Sequence, residues 1–156
     1  MAPITMKNAT EIWELGKRRL AEATVLLQSG FCEGALYLAG YSIELFLKAK
    51  ICELLRIPNL FDEAFNSSDI KARDFRKPFY THDLATLLYY SGLSEKFLDE
   101  KAQNQAFAKH WELLSETWNE NCRYKICGSF STQDTQRFIA AIEDVSHGVM
   151  QWIKNA

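Results

Sequence analysis

Residues 30–49, which read GFCEGALYLAGYSIELFLKA, decide the fold of this chain. From this stretch to Leu55, apolar side chains fall on nearly every face of a helix, and no broad polar face remains. A helix of this kind is usually central, because it has no side to present to water. The segment therefore predicts one long helix over residues 31–55 at the middle of a helical bundle.

Two glycines lie inside this predicted helix, at Gly34 and Gly40. A glycine in a helix costs about 1 kcal/mol relative to alanine, so its presence calls for a compensating reason. Close approach of a neighbouring helix supplies one, because it leaves no room for a Cβ atom. We therefore expect close packing of neighbouring helices at these two positions.

A polar stripe runs along the same helix. Its members are four, three and four residues apart and share one face: Tyr37, Tyr41, Glu44 and Lys48. Burying a lone charge is costly, so Glu44 and Lys48 should pair with each other, or face a cleft or a subunit contact. Two interpretations stay open: an internal polar network that takes in His82 and Asp83, and a ligand pocket at the same place.

The rest of the chain predicts further helices, because its apolar residues recur at helical rather than alternating spacing. Capping residues and glycines mark where these helices begin and end. The helices predicted in this way span residues 10–28 with Gly30 past the end, Thr81 to Ser91 with Thr81 as cap, and a stretch capped by Ser94 that the polar residues 99–105 could break.

A last, longer helix is predicted after Ser131, which stands in capping-box relation to Asp134. Its apolar stripe has a spacing suited to packing along a long partner helix: Phe138, Ile142, Val145, Val149 and Trp152. With a flexible N-terminus over residues 1–9 and an irregular loop over residues 59–80, we expect residues 1–156 to form one all-α domain. Its architecture should be an antiparallel up-and-down bundle of four to five main helices.

Charge and composition narrow the class of protein. The chain has 18 basic and 20 acidic residues and a net charge of -2, with no basic block of the kind that neutralises phosphates. It has no signal-peptide core, and no apolar run reaches the roughly 20 residues of a membrane span, so we expect a cytoplasmic protein with no membrane contact. Most Trp and Phe residues lie on apolar helical faces, which favours core positions over a base-stacking platform.

Four cysteines are predicted to stay reduced and to act as small buried hydrophobic residues: Cys32, Cys52, Cys122 and Cys127. Zinc bound by Cys122 and Cys127 is the alternative, but the four residues between them exceed the usual spacing of a ligand pair. We therefore expect no metal and no other cofactor. The sequence contains no phosphate-binding glycine loop, paired catalytic carboxylates or nucleophile elbow.

Residues 30–49 resemble the second-helix signature of HEPN domains, in which small residues, Tyr, Glu and Lys recur as they do here. The tripeptide His-Asp-Leu at residues 82–84 is similar to one that opens the next helix in one branch of that family. A weaker match is Arg123 with Tyr124, after Trp118. The resemblance implies a helical bundle, commonly dimeric, in prokaryotic toxin–antitoxin, phage-defence and RNA-processing systems. It also adds Arg123 to the candidate binding or network residues.

Many HEPN proteins are metal-independent ribonucleases, and these carry an Arg and a His four to six residues apart, late in the domain. Arg123 lies about where that Arg is expected. The positions where the His would follow hold Gly128, Ser129 and Phe130, and His147 lies too far along. The usual ribonuclease pair is therefore missing from this sequence.

Arg76 and His82 match the Arg-to-His spacing of the ribonucleases at an earlier place in the chain, because they enclose five residues. In such a pair the His can deprotonate a ribose 2′-hydroxyl while the Arg stabilises charge on the phosphate. The alternative is that His82 is a structural residue at a helix start and Arg76 a surface charge. Spacing alone is a weak signal of a catalytic site.

The sequence favours a non-catalytic, dimeric HEPN-like protein that binds or regulates a partner in a prokaryotic defence or toxin–antitoxin module. A nucleotidyltransferase or another toxin–antitoxin protein is the expected partner. RNA or a nucleotide is the expected ligand, the nucleotide at the polar stripe. The competing interpretation is a metal-independent ribonuclease that uses Arg76 and His82.

Overall fold

The computed structural model describes residues 8–57, 59–62 and 70–156, and these residues form helices and no strand. Among them, five helices have ten residues or more. The prediction of an all-helical bundle is confirmed. The helices are α1 (Ala9–Gln28), α2 (Cys32–Leu55), α3 (Ile70–Arg76), α4 (Leu84–Tyr90), α5 (Ser94–Gln103), α6 (Gln105–Thr117), α7 (Thr132–Glu143) and α8 (Val149–Asn155), with 3₁₀ turns at Lys77–Phe79 and Glu120–Tyr124.

Helix α2 occupies the centre of the bundle, as the sequence predicts. The side chains of Leu36, Ile43 and Phe46 are fully buried, and burial continues on all faces of the helix. Its neighbours are α1, α4, α7, α8 and the 3₁₀ turn at residues 120–124. Because other elements cover α2 on several sides, a polar side chain on α2 must find its partners inside the protein.

Helices α1 and α2 form an antiparallel hairpin that packs along most of its length. The turn uses Gly30 in the left-handed region, with φ of +82°, and the N–H of Phe31 donates to the carbonyl of Leu26 at 2.9 Å. Gly16 lets α1 approach closely, since an added Cβ there would lie 2.6 Å from the ring of Phe46. The helix end predicted at Gly30 is confirmed.

Both glycines of α2 lie against a neighbour. The indole of Trp118, at the end of α6, covers Gly40 and occupies the space of a Cβ atom there, and its Nε1–H donates to the carbonyl of Tyr37 at 3.0 Å. At Gly34 the nearest atom to an added Cβ is a methyl group of Leu26, at 3.3 Å. The expected close packing is confirmed at Gly40, whereas at Gly34 the contact is looser, because the flexible end of the Leu26 side chain can move to admit a Cβ atom.

Part of the segment predicted as an irregular loop is helical. Within residues 59–80, of which 63–69 lie outside the described residues, the chain forms α3 and the 3₁₀ turn at Lys77–Phe79. Helix α3 has only seven residues and none is buried, so no apolar period marks it in the sequence. Of the predicted flexible N-terminus, residues 1–7 lie outside the described residues, and Asn8 and Ala9 begin α1.

The predicted cap of α4 is wrong. Asp83 is the N-cap, and its Oδ2 accepts from the N–H of Thr86 at 2.8 Å. The hydroxyl of Thr81 accepts from the N–H of Asp83 at 3.2 Å instead, so it supports the cap from outside the helix. A carboxylate at the N-cap suits the positive end of the helix dipole, which explains why Asp83 takes this position.

The two helices after α4 begin at different kinds of cap. Ser94 is the first residue of α5 rather than its cap, and Leu93 holds the cap position without a side-chain bond. The break predicted within residues 99–105 is confirmed, and it falls at Asn104. The Oδ1 of Asn104 accepts from the N–H of Phe107 at 3.0 Å and so starts α6.

The prediction of one long last helix is wrong, although Ser131 caps α7 as predicted. The carboxylate of Asp144 accepts from the N–H groups of His147 and Ser146 at 3.0 and 2.8 Å, and these bonds hold its pKa below the usual range. The chain then turns back on itself at Gly148, where an added Cβ would lie 2.7 Å from the backbone nitrogen of Asp144. Val145 is left 86% exposed, so the apolar stripe is interrupted between α7 and α8.

Candidate functional site around Glu44

A buried carboxylate on α2 joins two basic side chains. Glu44 is 1% exposed; its Oε1 accepts from the Nζ of Lys48 at 2.6 Å, and its Oε2 lies 2.9 Å from the Nδ1 of His82. Lys48 lies one helical turn after Glu44, as the spacing of the stripe predicts. His82 comes from the extended segment before α4, a helix that packs on α2. We call these three residues the Glu44 cluster.

The Glu44 cluster satisfies its buried charges internally. Both oxygens of Glu44 have a partner, and Lys48, which is 8% exposed, also lies over the ring of Phe61 at 5.4 Å from its centroid. A buried ion pair is tolerated when its geometry is good and its remaining atoms are bonded. These contacts therefore favour the interpretation of an internal polar network over that of an open ligand pocket.

His82 is the outward member of the cluster, with a side chain that is 45% exposed. When the ring is neutral, an Nδ1–H that donates to Glu44 leaves Nε2 as a proton acceptor on the other side of the ring. The carboxylate of Glu44 also fixes the orientation of the ring, so that Nε2 points away from the buried side of the cluster. The arrangement can therefore serve as an anchor for the chain before α4 and as a general base.

The two tyrosines of the stripe lie beyond the cluster and are half-buried. The rings of Tyr37 and Tyr41 are nearly parallel, with centroids 6.3 Å apart. Burial raises the pKa of Tyr41, and the negative charge of Glu44 raises it further, while Arg19 acts in the opposite direction. The phenol of Tyr41 therefore stays protonated at neutral pH and can act as a hydrogen-bond donor.

The other candidate residues have different surroundings. Asp83 directs its carboxylate to the start of α4, as the N-cap, rather than into the Glu44 cluster. Arg76 is the last residue of α3, and Arg123 is an exposed residue of the 3₁₀ turn at residues 120–124, where its guanidinium lies 4.9 Å from the ring centroid of Tyr124. Of the residues expected in the polar network, Glu44, Lys48 and His82 therefore lie together, and Asp83 and Arg123 have other partners.

The cysteines mostly follow the prediction. Cys32, Cys52 and Cys122 are buried, and burial raises the pKa of the Cys52 thiol to about 11. Cys127 is exposed, contrary to the prediction, because it falls in the loop between the 3₁₀ turn and α7. Among residues 8–57, 59–62 and 70–156, no three His, Cys, Asp or Glu side chains gather closely enough to hold a metal ion.

Comparisons with known proteins add no further constraint. No protein-family model, curated protein or solved structure matches this chain. Within the part of the chain that the structure describes, no helix is both long enough and apolar enough to cross a membrane. The contacts of the cluster itself are therefore the basis for a functional proposal.

Proposed function

We propose that this chain is a HEPN-like, non-catalytic protein that binds or regulates a partner in a prokaryotic defence or toxin–antitoxin module. The observation that carries the proposal is that Glu44, the buried carboxylate of α2, is bonded to both Lys48 and His82. These contacts support a structural role for Glu44 and Lys48 of the central helix. The absence of a His at residues 128–130, after Arg123, supports the same conclusion.

The proposed protein acts as a homodimer, with a nucleotidyltransferase or another toxin–antitoxin protein as its partner and RNA or a nucleotide as its ligand. The resemblance of residues 30–49 to HEPN domains supports the dimer. The apolar stripe after Ser131 does not support the dimer, because it is interrupted between α7 and α8. Light scattering of the purified protein should give about twice the 18.0 kDa of one chain, and a monomer mass at micromolar concentration contradicts the dimer.

A ribonuclease is the second candidate function, and the contact between Glu44 and His82 is the observation that favours it. In this reaction the Nε2 of His82 takes the proton of a ribose 2′-hydroxyl, and the 2′-oxygen attacks the adjacent phosphorus. The bond to the 5′-oxygen breaks, that oxygen takes a proton from solvent, to which His82 returns the proton it removed, and a 2′,3′-cyclic phosphate remains. Arg76 would stabilise the charge on the phosphate.

One assay separates the two functions. The protein is incubated with mixed RNA in EDTA, together with the variants His82→Ala and His82→Gln and the control His110→Ala, which changes a histidine of α6. The proposed function predicts intact RNA in every sample. Cleavage that disappears in both His82 variants and persists in the His110 variant contradicts it and establishes the ribonuclease.

A further inference from the structure

A surface of exposed rings and basic side chains lies beside the Glu44 cluster. We call it the α3 surface, and it consists of residues 70–80 with Tyr89 and Tyr90. Helix α3 contains no buried residue, and within the described part of the chain its main contacts are with the 3₁₀ turn that follows it. An isolated helix of this length is only marginally stable in water, so a ligand that covers α3 would stabilise it.

The rings of the α3 surface form a connected ladder. Phe75 contacts Phe79 at 5.5 Å between centroids, Phe79 contacts Tyr90 at 5.2 Å, and Tyr90 contacts Tyr89 at 6.0 Å. Phe79 is buried, whereas Phe75 is 50% and Tyr89 71% exposed. The buried ring therefore holds the ladder in place and fixes the two outer rings for contact with a ligand.

Positive charge concentrates along the same surface. Residues 70–77 contain four basic side chains, Lys71, Arg73, Arg76 and Lys77, and one acidic side chain, Asp74, so they carry a net charge of +3 in a chain whose net charge is -2. Lys77 pairs with Asp74 at 2.7 Å, and this contact holds the pKa of the carboxyl below its usual range. The α3 surface therefore presents more basic than acidic side chains to an anionic ligand.

We propose that the α3 surface binds single-stranded nucleic acid, with bases stacked on Phe75 and Tyr89 and backbone phosphates beside the basic residues of α3. Rings interleaved with cations are the chemistry by which proteins hold a single strand without reading its sequence. This inference rests on the proposed function as a binding protein and assigns the ligand to a surface. It departs from two expectations drawn from the sequence, that no base-stacking platform and no phosphate-neutralising basic block are present, since these rings lie outside the long apolar stripes and the basic residues fall on one short helix and its following turn.

Fluorescence anisotropy with labelled oligo(U) and oligo(dT) of about 16 nucleotides tests the proposal. Both strands should bind, with a salt slope near -2 to -3 if three or four phosphates are neutralised. The triple variant Lys71→Gln/Arg73→Gln/Lys77→Gln should bind at least about ten-fold more weakly at low salt and lose roughly two units of that slope. A triple variant with the same charge change elsewhere, Arg18→Gln/Lys109→Gln/Lys125→Gln, is the matched control.

Ring variants separate stacking from simple attraction of a polyanion. Phe75→Leu and Tyr89→Leu keep apolar bulk but remove the ring, so each should weaken binding roughly ten-fold. The control Tyr124→Leu removes an equally exposed ring, 72% exposed, at another place and should leave binding unchanged. Far-ultraviolet circular dichroism of every variant verifies that the helices are intact.

Each outcome decides the proposal. Equal binding of oligo(U) and oligo(dT) indicates recognition of phosphates and bases, and tighter oligo(U) binding adds 2′-hydroxyl contacts; both support it. The proposal is overturned if neither strand binds at low salt, or if the control triple variant loses as much affinity as the α3 triple variant. It is also overturned if the leucine variants bind like the wild type and polyglutamate displaces the labelled strand as well as unlabelled nucleic acid does. RNA cleavage overturns the non-catalytic function but not this surface, whereas unaffected variants on intact RNA overturn this surface alone.

Discussion

The Glu44→Leu variant is expected to lose about 3–5 kcal/mol of its free energy of unfolding relative to the wild type. Glu44 is 1% exposed and binds both Lys48 and His82, so its removal leaves the ammonium of Lys48 buried without its carboxylate. A buried charge without a partner still carries the free-energy cost of losing its hydration, and no ion pair offsets that cost. Chemical denaturation followed by circular dichroism measures the loss.

Two further variants test this cause. The double variant Glu44→Leu/Lys48→Met removes both charges and should recover most of the lost free energy, because apolar residues of similar volume can replace a buried pair. The control Glu53→Leu breaks the ion pair with Lys50 at an end of α2 where Glu53 is 54% exposed, and should change the free energy of unfolding by less than about 1 kcal/mol. A double variant as unstable as the single one rules out the unpaired lysine as the cause.

The Gly40→Ala variant should lose about 3 kcal/mol of its free energy of unfolding. An added Cβ would occupy the same space as the indole of Trp118, contacting Cγ, Cδ1 and Nε1 of a rigid ring. The ring is also held by its bond to the carbonyl of Tyr37, so moving it away breaks a hydrogen bond at 3.0 Å. Denaturation curves together with the fluorescence of Trp118 and the other tryptophans report both effects.

Gly34→Ala is the matched control for this variant, because both glycines lie in α2. At Gly34 the nearest neighbour of an added Cβ is the end of the Leu26 side chain, at 3.3 Å, and this flexible group can move slightly. Alanine is also favoured over glycine in a helix by about 1 kcal/mol. The free energy of unfolding should therefore stay within about 1 kcal/mol of the wild type. An equal loss in the two variants excludes crowding by Trp118 as the reason.

The sequence predicts the centre of this bundle well because α2 carries one consistent signal. Its apolar residues cover every face, so burial follows whatever the arrangement of the neighbours. The pairing of Glu44 with Lys48 follows from their spacing alone, since residues four apart on a helix are neighbours. Gly30 and Ser131 mark helix ends because their local chemistry is specific to those positions.

The sequence fails where a local contact overrides a longer pattern. The apolar stripe after Ser131 continues through Val145, but the side chain of Asp144 bonds to backbone N–H groups and ends α7. Such side-chain bonds compete with the helix and leave no trace in apolar spacing. Helix α3 is not predicted because no apolar pattern marks it: its seven residues are too few to show a helical period.

The candidate site was predictable only in part. The spacing along α2 predicts that Glu44 and Lys48 share a face, and the resemblance draws attention to His82, but nothing in the sequence predicts the contact between Lys48 and Phe61. The sequence does not predict the α3 surface, because its rings come from three short elements that only the fold brings together: α3, the 3₁₀ turn at Lys77–Phe79 and α4. The spacing of residues along one helix carries no information about which side chains of other segments will contact it.

The lack of any buried residue in α3 has a consequence for how the protein opens. We expect backbone amides of α2 to exchange their hydrogens with solvent only when the whole bundle unfolds, and those of α3 to need only a local opening. A buried interior would then stay closed while α3 opens at little energetic cost. Hydrogen exchange measured segment by segment would register a ligand on α3 as slower exchange there, with the interior unaltered.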